Sequence, residues 1–163
     1  VSETPIRRSQ SEWDTFFLDF AGQVANLSKD PDRKVGAVLV ARGRRQFSIG
    51  YNGFPPDIDD LPSLLADRQF KLQWTVHAEE NCLRQAPFDP SGSDLYVTRF
   101  PCHHCAAHII KAGVMRVVAP GPDLGHPRWG ESWAQTLQDF ANNAVEVVLI
   151  GGSDPNQLDL FKT

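Results

Sequence analysis

Cysteine is scarce: three residues in 163, at positions 82, 102 and 105, with the last two in one C-x-x-C. No disulfide framework can be read from them, so a reducing, cytoplasmic compartment is expected. No apolar stretch approaches the length of a signal peptide or a membrane span. Positive charge is not in excess either, because 16 Lys and Arg face 20 Asp and Glu, a net charge of −4 with a pI near 5.7. That balance argues against a polynucleotide substrate, which calls for a basic face, but not against a mononucleotide, which needs only a local cationic pocket. Internal repeats, low-complexity tracts and linkers are missing too. With a hydrophobic fraction of 41% and a charged fraction of 22%, the chain reads as one domain over residues 1–163 with a core of its own. Residues 1–10 are polar and expected to fray, and 151–163 form a C-terminal tail.

The apolar pattern gives an α/β order. Ser11 with Asp14 resembles a capping box ahead of Trp13, Phe16, Phe17, Phe20 and Val24, which recur at helical spacing. Asp30-Pro31 ends that helix. Val35–Ala41 is a continuous apolar strand, Arg42–Arg45 a turn around Gly43, and Gln46–Tyr51 a second strand, together a hairpin at a sheet edge. A Gly/Pro/Asp-rich loop over 52–60 leads to a short helix at Leu61–Phe70. Trp74-Thr75-Val76 is strand-like and precedes a helix from His77 to Gln85. Strands follow at Asp94–Arg99, Val114–Ala119 and Val145–Ile150, separated by a helix that starts near Cys102 and another over 131–142. A further helical turn is expected at Gln157–Phe161. The expectation is a three-layer α/β/α fold with a five-stranded mixed sheet covered on both faces, and with ligands at strand-to-helix turns.

Two of those turns carry chemistry. His77-Ala78-Glu79 opens one helix and Pro101-Cys102-His103-His104-Cys105 opens the next. One imidazole and two thiolates are three zinc ligands with a fourth position left open, the count of a catalytic and not a structural site. Zinc lowers the pKa of a bound water to roughly 7, and a carboxylate two residues from the His ligand, Glu79, can move its proton. Helix N-termini favour the thiolate form of Cys102 and Cys105. Rival ligands exist: His103, His104 and His108 are close by, and His104 and His108 share a helix face at i, i+4. That pairing would strand Cys102. Cys82 is the leftover thiol and suits a small apolar role.

The ordered pair H-x-E then P-C-x-x-C is the known signature of zinc-dependent nucleobase deaminases. The chain resembles, from Trp13 to about Ile150, the deoxycytidylate (dCMP) deaminase branch of the cytidine deaminase superfamily. The residues that carry the likeness are Ser28-Lys29-Asp30-Pro31, Val35-Gly36-Ala37, Gly50-Tyr51-Asn52-Gly53, Asp59-Asp60, His77 to Asn81, Tyr96-Val97-Thr98, Phe100-Pro101-Cys102, Cys105-Ala106 and Ile109 to Gly113. The resemblance implies hydrolytic deamination of dCMP to dUMP. By position it implies zinc on His77, Cys102 and Cys105, with Glu79 as proton shuttle. It also implies substrate contacts from Asn52 (sugar), the Ser28-Lys29 loop (phosphate), Ala78 and the Phe100 carbonyl (exocyclic amine), within a homo-oligomer of two to six copies. Mg²⁺ accompanying an allosteric deoxynucleoside triphosphate is the further cofactor it admits. Leu27, where many relatives have Arg, and Asp57-Ile58, where they have Gly-Cys, count against that control. Trp129, Glu131 and Ser132 resemble a bacterial and phage subgroup. Two alternatives stay open: a deaminase of another cytosine compound (free base, nucleoside or 5-substituted dCMP), and a non-catalytic zinc module, against which the unliganded Glu79 speaks.

Overall fold

A computed structural model describes residues 2–151 of the chain; the turn expected at 157–161 lies outside them. The elements in order are α1 (Gln10–Ala25), β1 (Gly36–Val40), β2 (Phe47–Tyr51), α2 (Pro62–Ala66), α3 (Arg68–Trp74), α4 (Ala78–Arg84), β3 (Asp94–Val97), α5 (His103–Lys111), β4 (Arg116–Ala119), α6 (Gly130–Asn142) and β5 (Glu146–Leu149). One mixed sheet has the order β2-β1-β3-β4-β5. Strand β1 is antiparallel to both of its neighbours, while β3, β4 and β5 run parallel.

The unbroken apolar run Gly36–Val40 has a simple cause: β1 is an interior strand, paired on both sides and buried on both faces. Ala37 and Leu39 face a core shared with Ala78, Cys82, Cys105, Ile109 and Phe140, whereas Val38 and Val40 face Phe17, Leu18 and Ala21 of α1. The crossovers β2-α4-β3, β3-α5-β4 and β4-α6-β5 all step the same way across the sheet. Right-handed connections then put α4, α5 and α6 on one face, which leaves α1 to cover the other.

Several boundaries differ from expectation, each for a local reason. The cap of α1 is Ser9 with Glu12, a reciprocal capping box two residues before the expected Ser11–Asp14 pair. Asp14 is instead buried and binds Arg116. The single helix expected over 61–70 is two, because the Asp67 side chain accepts from Gln69 N and Phe70 N and so starts α3 afresh. Trp74 ends α3, and of the strand-like 74–76 only Val76 pairs, in an isolated bridge to Gly53.

Close backbone contact sets where α4 lies. A Cβ on Gly50 would stand 2.3 Å from the Ala78 carbonyl oxygen and 2.3 Å from the Cys82 nitrogen, so only glycine lets α4 seat on β2. Ser48 Oγ donates to the Cys82 carbonyl at 2.8 Å and Asn81 Nδ2 to the Tyr51 carbonyl at 2.8 Å, which pins the helix there. Gly50→Ala is therefore expected to cost about 1–3 kcal/mol by overpacking and to lower zinc retention by shifting His77. Urea melts and metal content should fall together; wild-type values for both would show that α4 tolerates the displacement.

On the opposite face one buried carboxylate ties α1 to the sheet. Asp14 accepts from Arg116 Nη1 (2.7 Å) and Nη2 (2.5 Å), Tyr96 Oη (2.9 Å) and Gln10 Nε2 (3.0 Å). Burial pushes its pKa up, but the hydrogen bonds from Arg116, Gln10 and Tyr96 outweigh it and hold the carboxyl below its ordinary 3.8. The sign follows from linkage: the stabilisation is present above pH 3.8 and is lost as pH falls through the lower native value. Asp14→Asn should be less stable at neutral pH and decline less steeply than wild type in that acid window, as read by denaturant melts at stepped pH. Parallel curves would assign the acid sensitivity to other carboxylates.

Candidate active site

The residues singled out at the two motif turns converge. His77 is the N-cap of α4 and Cys102 the N-cap of α5, one just outside each helix start, and Cys105 lies in the first turn of α5. His77 Nδ1 is 3.2 Å from Cys105 Sγ and 3.7 Å from Cys102 Sγ, and the three ligand atoms all lie within 4.8 Å of one another. Tetrahedral zinc bonded to two sulfurs and one nitrogen has ligand–ligand edges of roughly 3.6–3.8 Å, from bond lengths of about 2.3 and 2.0–2.1 Å. The donor types and spacing fit that ion. Both cysteines are buried and His77 is half-buried, so the site has little competing water.

Without metal the three groups share protons. The Cys102 thiol is held well below the usual range, mainly by a hydrogen bond from Cys105 and then by His77, against the opposing effect of burial. Cys105, the donor of that bond, is pushed up, and His77 is raised by its bond to Cys102. Zinc binding must displace these protons. Glu79 is not among the three ligands. It is 5% exposed, and burial raises its carboxyl pKa while the His77 charge opposes the shift. A carboxyl moved toward neutral pH can both take and return a proton.

The rival ligands go elsewhere. His103 uses its backbone N–H and Nδ1 on Ser132 Oγ, at 3.0 and 2.8 Å. His104 and His108 pair with each other on the exposed side of α5, ring centroids 5.0 Å apart. Cys82 is fully buried, donates to the Ser48 carbonyl at 3.2 Å, and burial pushes its thiol up to about 12.

A cavity of about 350 Å³ opens onto His77, Ala78, Glu79 and Cys102, with Asn52 and Phe100 also in its wall. Asn52 is committed to structure: Oδ1 accepts from Val35 N at 2.8 Å and Nδ2 donates to the Arg33 carbonyl at 2.9 Å, leaving one amide N–H. The Phe100 carbonyl accepts from Trp133 Nε1 at 3.0 Å and keeps a second lone pair. The Ser28-Lys29 pair is not brought to this cavity. Ser28 is buried with its hydroxyl donating to the Asn52 carbonyl at 2.8 Å, and Lys29 binds Asp60 at 2.6 Å in an adjoining recess.

Sequence reasoning missed the cations that do line the cavity: Arg33, Arg68, Lys71, Arg99 and Arg128. Lys71 is neutralised by Asp30 and Asp32. The i, i+4 pair Trp129–Trp133 was the available signal for a wall here, since two large aromatics at that spacing share a helix face.

The sequence matches the cytidine and deoxycytidylate deaminase zinc-binding region over residues 11–120. It is 38% identical over 138 residues to an uncharacterized deaminase in the luxG 3′ region of Aliivibrio fischeri, a match covering 84% of this chain and 92% of that protein. It is 37% identical over 113 residues to human deoxycytidylate deaminase, covering 66% of this chain and 64% of the human one. The fold matches that of a cyanophage S-TIM5 dCMP deaminase solved with dCMP and dUMP, with a TM-score of 0.67 and 23% identity over 88% of this chain and all of that one. Among the described residues no helix is long and apolar enough to cross a membrane.

Proposed function

Because the chain belongs to the cytidine and deoxycytidylate deaminase family, we propose that it hydrolyses dCMP to dUMP and ammonia, with zinc on His77, Cys102 and Cys105. The observation that carries this reading is the convergence of those three ligands beside the buried, unliganded Glu79 at the floor of one cavity. Zinc bound there supplies a water acidic enough to attack at neutral pH.

The residues divide the remaining work. Glu79 takes a proton as water adds at C4 of the cytosine ring, delivers it to N3, and carries the second proton to the departing amine. The C–N bond breaks, ammonia leaves and a C4 carbonyl remains. The Phe100 carbonyl accepts from the 4-amino group through the lone pair that Trp133 leaves free. Ala78 lines the same cavity at the first turn of α4, where backbone N–H groups have no intrahelical partner and can meet the base. Asn52 offers its remaining N–H to the sugar. Reduced thiols are a condition of this site, which supports a cytoplasmic setting, and a homo-oligomer of two to six copies belongs to the same reading.

Ammonia release from cytosine, deoxycytidine, dCMP, CMP, dCTP and 5-methyl-dCMP tests it. dCMP is expected to exceed deoxycytidine by about tenfold or more in kcat/KM, equivalent to about 1.4 kcal/mol of transition-state binding. Equal rates on the two would replace the nucleotide reading with a nucleoside one.

A further inference from the structure

The cavity wall holds a half-buried cation, Arg99, with no anionic partner among the described residues. Arg99 lies three residues before Cys102, at the end of β3, and its guanidinium carbon sits 5.1 Å from the Trp129 ring centroid and 5.3 Å from that of Trp133. The two indoles stack at an interplanar angle of 26°, so they form a floor under the charge. Arg128 lies 5.1 Å from the Trp129 centroid as well, and both arginines line the cavity together with Arg33. Among the described residues, ion pairs engage Arg8, Lys29, Lys71, Arg84 and Arg116. None engages Arg33, Arg99 or Arg128, and among the same described residues the side chains of these three make no hydrogen bond.

Burial and then the neighbouring charge of Arg33 depress the Arg99 pKa to about 10, with Arg128 adding to the repulsion. Arg99 stays charged at neutral pH. Three like charges close enough to repel, one of them desolvated, raise the energy of the empty protein unless an anion joins them. Simple packing explains one arginine on one tryptophan, since cation–π contacts of that kind are common. It does not explain four guanidiniums lining one cavity, Arg68 of α3 being the fourth, without an ion pair among the described residues, beside a lysine that is fully paired.

We infer that Arg99 and Arg128 on the Trp129–Trp133 floor, with Arg33 lining the same cavity, form a clamp for the phosphate of the nucleotide substrate, in place of the Ser28-Lys29 loop. The inference rests on the deaminase reading for the identity of the nucleotide. Guanidinium is the suited group: its planar fork binds phosphate oxygens two at a time, which an ammonium cannot do. Lys29 is held by Asp60 and cannot compete without breaking that pair. Arg128, Trp129 and Trp133 follow residue 120, where the shared zinc-binding region ends. Part of the clamp, Arg128 and the two indoles, thus lies beyond the shared region, while Arg33 and Arg99 lie within it.

Calorimetric binding of dUMP and of deoxyuridine to the zinc-loaded protein tests the clamp without requiring turnover. Wild type should bind dUMP at least about tenfold more tightly than deoxyuridine. Arg99→Met, which keeps apolar bulk over the indoles, and Arg128→Gln, at an exposed position, should each erode that advantage about fivefold or more, as loss of a charged contact does. Lys29→Ala should leave it within about twofold, as for a surface pair. Should Arg99→Met fail to fold, Arg128→Gln decides alone. The clamp is wrong if both arginine variants keep the wild-type advantage, if Lys29→Ala abolishes it, or if wild type has no advantage. Failure of the deaminase reading is seen separately, as no ammonia from either dCMP or deoxycytidine.

Discussion

Glu79→Gln is expected to fold, to keep its zinc and to lose turnover on dCMP by about 10² or more, the usual scale of general acid–base catalysis. The substitution keeps shape and hydrogen-bonding reach but removes the one atom pair able to carry a proton. The position makes the effect large. Glu79 is buried in the first turn of α4, and that burial raises its carboxyl pKa, which suits it to take and return a proton. Stability should hold or rise slightly, because an amide avoids the cost of burying a charge. Parallel measurements of zinc content, thermal melting and ammonia release separate these effects. A variant with full zinc and half the wild-type rate would place the proton transfer on another residue.

Cys102→Ser is expected to remove the zinc and all measurable activity. A serine hydroxyl at the same N-cap does not ionise near neutral pH, so the site would be left with one thiolate and one imidazole. Cys105 is the less informative target, because it is more deeply buried than Cys102 in the core that both share with Ala78, Ala106 and Ile109, so its loss disturbs packing more. Elemental analysis of freshly purified protein should give about one zinc per wild-type chain, the single site that the donor set supports, and none in the variant. Full occupancy in Cys102→Ser would sink the ligand assignment. Cys82→Ala should keep its zinc, since that sulfur is bonded to the Ser48 carbonyl on the far side of α4.

What the sequence made legible was local. The run Val35–Ala41 announced a continuous apolar strand, and β1 is an interior strand of the sheet, buried on both faces. His77, Glu79, Cys102 and Cys105 were legible because each lies within three residues of a helix start, where chain spacing alone fixes which groups sit together. The split of α2 from α3 was missed because Asp67 fell inside the single helix expected at Leu61–Phe70, when its side chain restarts the helix as a cap. Ser28 and Asn52 were read as groups facing a ligand, and their hydrogen bonds also brace the 28–35 segment against β2, with Asn52 still in the cavity wall. Polar residues of turns carry both roles, and only the tertiary partner distinguishes them. The Arg99 wall was illegible for the opposite reason. Its parts come from the end of β3 and from the start of α6, about thirty residues on, and cation–π contact leaves no spacing in the chain.

The same contrast decides where the positive charge of an acidic chain resides. Lys29 is in a conspicuous motif and is neutralised at the surface by Asp60, while Lys71 is neutralised by Asp30 and Asp32. The charge that remains unpaired at the cavity is all guanidinium. An electronegative protein can thus present a strongly cationic pocket to one small anion.

The most direct measurement is product analysis of dCMP incubated with zinc-loaded wild-type protein and, alongside, with zinc-loaded Glu79→Gln. dUMP and ammonia appearing in equal amounts with wild type, and at least about a hundredfold more slowly with the variant, is the expected result. No dUMP from wild type at full zinc occupancy would contradict the assignment of this site to dCMP deamination.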